Sequence, residues 1–492
     1  MRNHLITQWT LFACTLAYPA LFWKAAAGMN VLAYTMLILG ALWLLQPECR
    51  HDRRVRGLAF MTLLTALAYV ATRQSFAWWM QSFGLLATVG YAQRRELRFL
   101  GYALLMPVVN LIQSPLFLAR FSSRFADRGP SARHLLRVGR QAAAPVLIIG
   151  LFLTIYLQAN ARFAELAEAF WTRLIHPFRG DLPWSLVGSV LVGSLLAVSL
   201  LAPAAKNWFA RLEAGRDLSL TRRRKVFRGS MLALKRQYQS GQWLLWMLNL
   251  LLLTVNATDL YYVWFRAENR GPAELSQYVH QGTYLLIGAI LLAAVVLLGY
   301  FRRNLHFYPH NQTLKALAYA WIGQNAVLSL SVAMRNYRYI EAYGLAYKRI
   351  GVFLFLACTV AGLIFLFLKV RDDRTFFYLQ TRTALAVYCL LAPASMLPWD
   401  TLITRHNLLV PTQTGIDLYF LIEEVPDTNL SLLFRYRDRL IAGKSPEDQI
   451  EVLAWLDAKR RRFHDRTAEA DWRSWTWPDA RNRRLLPTIT SK

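Results

Sequence analysis

Residues 242–265 read QWLLWMLNLLLLTVNATDLYYVWF, an apolar run whose one charged side chain is Asp259. At about 1.5 Å of rise per residue, such a run in helical form crosses a hydrocarbon layer of roughly 30 Å. Lipid offers backbone N–H and C=O groups no water to bond, so a single segment must satisfy them within itself, as a helix does. Comparable runs recur on both sides, at residues 6–23, 29–46, 57–72, 75–91, 141–160 and 184–205 before it, and at 282–301, 315–334, 351–368 and 383–398 after it. The expected fold class is all-α: a polytopic integral membrane protein with about eleven transmembrane helices and a small helical C-terminal tail. Composition agrees, with 55% hydrophobic and 13% aromatic residues and only 17% charged ones in a chain of 492.

The net charge of +28 is placed unevenly. Residues 401–492 hold 15 Lys and Arg against 13 Asp and Glu, so all but +2 of the excess lies between the apolar runs of the first 400 residues. That is the imprint of cytoplasmic loops facing anionic lipid headgroups, not of a nucleic-acid groove. The basic clusters at Arg50–Arg56, Arg94–Arg98, Arg120–Arg140 and Lys206–Arg236, the last containing Arg222-Arg223-Arg224-Lys225, are expected in the cytoplasm of a bacterium. Alternation then puts the N-terminus in the cytoplasm and the tail in the periplasm, with the spans in the inner membrane. Residues 1–23 resemble a signal sequence, but Lys24 interrupts the run and a second begins at Met29, so an uncleaved first helix is expected.

Four segments follow. Residues 1–98 form an N-terminal four-span unit, and 141–400 form the main seven-span membrane domain. Between them, 99–140 is a re-entrant or interfacial segment with a basic cytoplasmic loop: basic clusters flank 99–119 on both sides, and Pro107 and Pro115 argue against a straight crossing helix. Residues 401–492 read as a soluble helical tail, with Ser445-Pro446 as a helix cap and first helical position. The loop Arg335–Arg349 is more basic than its outward assignment suits.

No catalytic signature of a soluble enzyme is present, and neither a cofactor nor a metal site is expected. The four cysteines have no CxxC spacing, and His306 and His310 flank Pro309 with no third ligand nearby. The informative residues are polar groups inside apolar runs, which cost several kcal/mol unless partnered. Asn249, Asn256 and Asp259 share one helical face, and Gln324, Asn325, Ser329, Ser331 and Arg335 make a similar stripe in the run at 315–334. The two faces are expected to meet. Interhelical glue and a buried binding site are both compatible with that pattern. Arg335–Arg349, RNYRYIEAYGLAYKR, adds Glu341, Tyr343 and Arg349 in an interfacial belt suited to gripping phosphate or carboxylate.

The run from Asn256 and Asp259 through His280-Gln281-Gly282, Gln324-Asn325, Arg335, Tyr339-Ile340-Glu341-Ala342-Tyr343-Gly344-Leu345 and Arg349 resembles the core of a bacterial multipass membrane family catalogued as a domain of unknown function, the DUF4153 and DUF4173 group. Asp471-Trp472-Arg473-Ser474-Trp475 resembles the end of the same family, giving coverage from about Gln242 to Trp477. The resemblance supports the topology and names no reaction. On these residues a transporter or translocator of an envelope or lipid-linked molecule is expected, with Asp259 for charge or proton coupling, Asn256, Gln324 and Asn325 for hydrogen bonds, and Arg335 and Arg349 for anion contact. The rival is a non-catalytic scaffold or sensor that anchors its tail for a partner. A membrane-embedded transferase using Asp259 or Glu341 as base is the weakest of the three. The bilayer with its anionic headgroups is the one partner expected in every case, with a lipid-linked or anionic small molecule as candidate ligand.

Overall fold

The computed structural model describes residues 2–123, 160–175, 183–202, 208–220, 231–261, 288–296 and 311–486, with isolated positions at 149, 153, 156, 157 and 298. The described residues are helical, with no strand beyond the bridge between Ser219 and Arg374. The elements are α1 (Arg2–Phe22), α2 (Met29–Leu45), α3 (Arg53–Thr72), α4 (Ser75–Gln93), α5 (Leu100–Ser123), α6 (Ala161–Ile175), α7 (Trp184–Leu201), α8 (Trp208–Ala214), α9 (Met231–Asp259), α10 (Gln312–Tyr343), α11 (Tyr347–Arg371), α12 (Phe376–Ser395) and α13 (Trp399–Leu409), followed in the tail by α14 (Leu430–Arg435), α15 (Arg437–Ile441), α16 (Pro446–Thr467) and α17 (Trp477–Leu485).

Among these, α1, α3, α7, α10 and α11 are long and apolar enough to cross a membrane, and a sixth is added if α12 and α13, bent by 62° at Pro398, count as one broken span. Eleven were expected. Helix α2, at 17 residues, is shorter than a full crossing, α4 and α9 are not among the helices that qualify, and the runs at 141–160 and 282–301 lie largely outside the described residues.

The loops sort to two ends. At one end, Glu213 is buried and its carboxylate accepts the backbone N–H groups of Arg98 (2.7 Å) and Phe99 (3.0 Å). The Arg54 guanidinium reaches the Leu97 carbonyl, Arg95 pairs with Glu48, and Lys315 pairs with Asp373 at 2.8 Å. The basic loops around 50–56, 94–98 and 213–220 therefore share this end with the start of α10 and the end of α11. At the other end lie the α1–α2 and α3–α4 turns and the tail. Met29 donates its N–H to the Trp475 carbonyl (3.0 Å), and Arg473 donates to the carbonyls of Ala20 and Trp23. A Cβ on Gly28 would sit 2.5 Å from the Ser474 carbonyl carbon, so only glycine lets the two backbones approach this closely.

Helix α5 differs from the hairpin that its prolines suggested: it is one continuous helix. Pro107 removes the N–H that would bond the Ala103 carbonyl. That carbonyl instead lies against Gly90 of α4, 2.0 Å from where a Cβ would stand. Seven residues on, Asn110 bonds Gln93 and the carbonyls of Ser199 and Ala202. Both sets of contacts are at the basic ends of α4 and α7, so α5 runs across those ends and does not retrace α4. The expectation for 99–140 included a basic loop whose residues 124–140 lie outside the described residues.

The tail is not an independent appendage. Its core of Leu421, Ile422, Leu433, Leu440 and Leu456 continues into Ile350 of α11 and Ile403 of α13. Asp427 and Asp479 are clamped by Arg466 and by Arg73 from the α3–α4 turn, Arg73 lying 2.5 Å and 3.3 Å from the two carboxylates. Burial pushes the Asp427 carboxyl up, but the two guanidinium groups outweigh it and hold its pKa below the ordinary value.

Within the tail, Lys459 is only 4% exposed, and its ammonium donates to the carbonyls of Leu421 (3.2 Å) and Val425 (2.7 Å). Burial pushes its pKa down from 10.5 to about 8, the Asp427 and Glu423 carboxylates pulling back upward. The folded chain therefore binds fewer protons than the unfolded chain between about pH 8 and the ordinary lysine value, and stability rises with pH across that window. We expect the melting temperature of the tail, followed by tryptophan fluorescence, to climb by a few degrees from pH 8 to pH 10, and Lys459→Met to flatten the climb. An unchanged climb in the variant would assign the effect elsewhere.

Candidate functional site

The polar face read from residues 242–265 meets its counterpart on α10. Asn249 donates to the Leu317 carbonyl (3.0 Å) and accepts from the Gln324 amide (2.9 Å); Asn256 donates to the Gln324 carbonyl (3.0 Å). One turn further, the Asp259 carboxylate accepts the Ser331 hydroxyl (2.9 Å) and pairs with the Arg335 guanidinium. Asp259 and Arg335 are each 7% exposed. The spacing explains the register: 249, 256 and 259 fall on one face of α9, and 317, 324, 331 and 335 on one face of α10. Both helices carry leucines elsewhere, and Leu245, Leu317 and Trp321 pack in the same core.

Not every residue of the expected site joins this seam. Asn325 is buried, and its amide donates to the Trp321 carbonyl of its own helix rather than to α9. Arg349 lies over the ring of Tyr339 at 4.3 Å, with Tyr343 at 5.7 Å, and its guanidinium bonds the carbonyls of Tyr343 and Gly344. It closes the C-terminal end of α10, where unpaired carbonyls favour a cation. Glu341 is exposed. The structure thus divides the expected constellation in two: an α9–α10 seam of Asn256, Asp259, Gln324 and Arg335, and a helix-end cap of Tyr343 and Arg349. Two of the four cations in 335–349 are used within the fold, Arg335 being matched by Asp259 and Arg349 engaged by the end of α10.

Two acceptors in the seam, Asn256 Oδ1 and Gln324 Oε1, make no hydrogen bond. No cluster that could hold a metal ion occurs among the described residues.

A second region was missed by sequence reasoning. At the tail end, a cavity of about 490 Å³ opens between the first turns of α4, α11 and α13 and the turn at 424–426. Its apolar wall is built from Phe76, Ile350, Leu354 and Trp399, and its polar rim from Arg73, Gln74, Tyr347, Asp400 and Glu424. Asp400 is 3% exposed and accepts hydroxyls from Tyr347 and Thr428, each at 2.5 Å. Gln74 is 6% exposed, and its amide nitrogen has no hydrogen-bond partner. The turn carrying Glu424 is a short π-type segment, Phe420–Glu424. Its residues come from four distant stretches, none with a motif of its own. The nearest signal is the pair Trp399-Asp400, an acid directly after the last apolar run.

A family model described as Domain of unknown function (DUF4153) matches residues 10–433. The chain therefore belongs to that family. The match reaches much further toward the N-terminus than the resemblance read from Gln242 onward, and it stops short of Asp471–Trp475. No curated protein and no solved structure matches the chain.

The ion pair fixes what substitutions in the seam should do. Asp259→Asn leaves the buried Arg335 charge uncompensated, which for a buried pair costs about 3–5 kcal/mol. Removing both charges in Asp259→Asn/Arg335→Gln should restore much of that loss. A double-mutant cycle on detergent melting temperature, with membrane abundance scored beside it, measures the coupling. Additive losses from the two single changes would show that the charges do not depend on each other.

Proposed function

We propose that this is a multipass protein of a bacterial inner membrane that takes up or moves an amphipathic envelope molecule at the tail-side cavity. One observation carries the reading: the cavity lies where the apolar helix α11 begins, with an apolar wall toward the helices and carboxylates, an amide and a guanidinium toward the tail. An amphiphile needs that division, and ligand sites of such size commonly combine apolar walls with a few placed polar groups. The α9–α10 seam supports a structural role instead, because most of its polar groups are used on one another. It favours the scaffold reading only in part, since a scaffold gives no reason for a cavity at the membrane boundary.

In this reading the basic loops face the cytoplasm and its anionic lipids, and the tail faces the periplasm. The eleven-span count goes with it, α5 lying along the cytoplasmic face. Amphipathic α6, with Leu166 and Phe170 exposed, lies along the other.

Gly351 borders the cavity, and a Cβ there meets no atom within 4 Å. Gly351→Phe should therefore fill the cavity while the fold survives, since Phe is a better helix former than Gly. We expect it to reproduce the envelope phenotype of a deletion strain at normal abundance in the membrane. A fully active Gly351→Phe protein would move the preference to the scaffold.

Sidedness is tested separately. In a variant lacking Cys14, Cys49, Cys358 and Cys389, cysteines at exposed Ser219 and Glu447 would be probed in cells with a thiol reagent that does not pass the inner membrane. Labelling at 447 and protection at 219 is the expected pattern, and the reverse would invert the topology.

A further inference from the structure

We infer that the tail-side cavity takes the headgroup of a zwitterionic phospholipid, with phosphate against the edge formed by Gln74 and the start of α4, and a primary ammonium against Asp400 and Glu424. This rests on the reading of the cavity as the place where an amphiphile is handled, and it names the amphiphile's class.

The first edge supplies donors. Gln74 is the residue before α4; its side chain makes no cap, and its buried amide nitrogen is without a partner while lining the cavity. The other two helices that start here are also without side-chain caps, being preceded by Ala346 and Pro398. Helices α3, α12 and α16 are by contrast capped by Asp52, Thr375 and Ser445. Unmet N–H groups and the positive end of the helix dipole attract an anion. The unpartnered Gln74 donor beside them calls for an acceptor at the same place.

The second edge supplies acceptors. Asp400 is held by two hydroxyls, and neither it nor Glu424 has an ion-pair partner among the described residues. Arg73 cannot neutralise them, because it is already shared between Asp427 and Asp479. A purely anionic headgroup would meet two carboxylates with no cation of its own. A neutral diacylglycerol would offer Gln74 no phosphate. A headgroup carrying both charges answers both edges, and Phe76, Ile350 and Leu354 receive the first carbons of the acyl chains.

The test is native mass spectrometry of the detergent-solubilised full chain, offered phosphatidylethanolamine, phosphatidylglycerol and phosphatidylcholine at equal concentration, with soluble phosphoethanolamine as competitor. A charge-assisted hydrogen bond of about 1.5–3 kcal/mol predicts a preference of about tenfold or more for phosphatidylethanolamine over phosphatidylglycerol. Phosphatidylcholine, whose ammonium has no N–H to donate, should fall between. Asp400→Asn and the exposed Glu424→Gln should each shrink the preference, Glu424→Gln serving where Asp400→Asn disturbs the fold. Gln74→Leu should weaken both phospholipids alike. Equal retention of phosphatidylglycerol, or a preference that survives both carboxylate changes, would overturn the inference. Displacement by soluble phosphoethanolamine at matched concentration would assign the site to a free headgroup and overturn the lipid. Loss of preference alongside an inactive Gly351→Phe protein sinks only the headgroup class; a fully active Gly351→Phe protein sinks the reading beneath it.

Discussion

The pairing of Asp259 with Arg335 is the interaction from which the second half of the structure takes its order. A carboxylate or a guanidinium alone among apolar helices carries a cost that neither helix could bear at the usual margin of stability. Once the two meet, the register of α9 against α10 is set, because Asn249 and Asn256 fall opposite Leu317 and Gln324 at the same spacing. Sliding either helix by one residue would turn each of these groups toward leucines or lipid. The pair thus contributes specificity of arrangement more than net stability, as a buried polar layer does in helix bundles.

The same constraint recurs at the tail, where it acts on backbone rather than side chains. The Gly28 approach and the Met29 bond to Trp475 join main chain to main chain, while the Arg73, Arg466, Asp427 and Asp479 group joins charge to charge. Together they fasten residues some 400 apart in sequence to two short turns of the N-terminal bundle. A tail fastened in this way cannot leave the membrane domain without exposing Ile350 and stranding Arg73. The wall of the cavity is therefore fixed in place by contacts that do not themselves line it.

How much of this was legible in the sequence follows from how local each feature is. Apolar length and helical spacing are local, so the helices and the inward face of α9 could be read directly. The cap at Ser445 was equally plain. Pairings were harder. The stripe on α10 was visible, but which of two adjacent amides bonds α9 depends on a rotation of 100° per residue, and it is Gln324 that does. That Arg349 lies over Tyr339 and bonds the end of α10 is not visible in the sequence either. In α5 the prolines suggested a break, whereas a carbonyl freed by Pro107 is accommodated by the bare backbone at Gly90, a compensation that lies outside the segment itself.

The cavity was illegible for a stronger reason. It is made where the first turns of three helices converge, and a helix start that has no cap is recorded in sequence only as the absence of Ser, Thr, Asp or Asn at one position. Gln74, Ala346 and Pro398 each lack a short oxygen-bearing side chain at that place, and singly none of them would draw notice. Their meeting at one point gives the absence a physical meaning: no side chain caps any of the three starts, and the buried Gln74 amide nitrogen beside them has no partner. Asp400, placed two residues into α13, accepts the hydroxyls of Tyr347 and Thr428. The site therefore holds donors and charged acceptors side by side without letting them cancel, and that separation is what makes it suited to a headgroup carrying both signs.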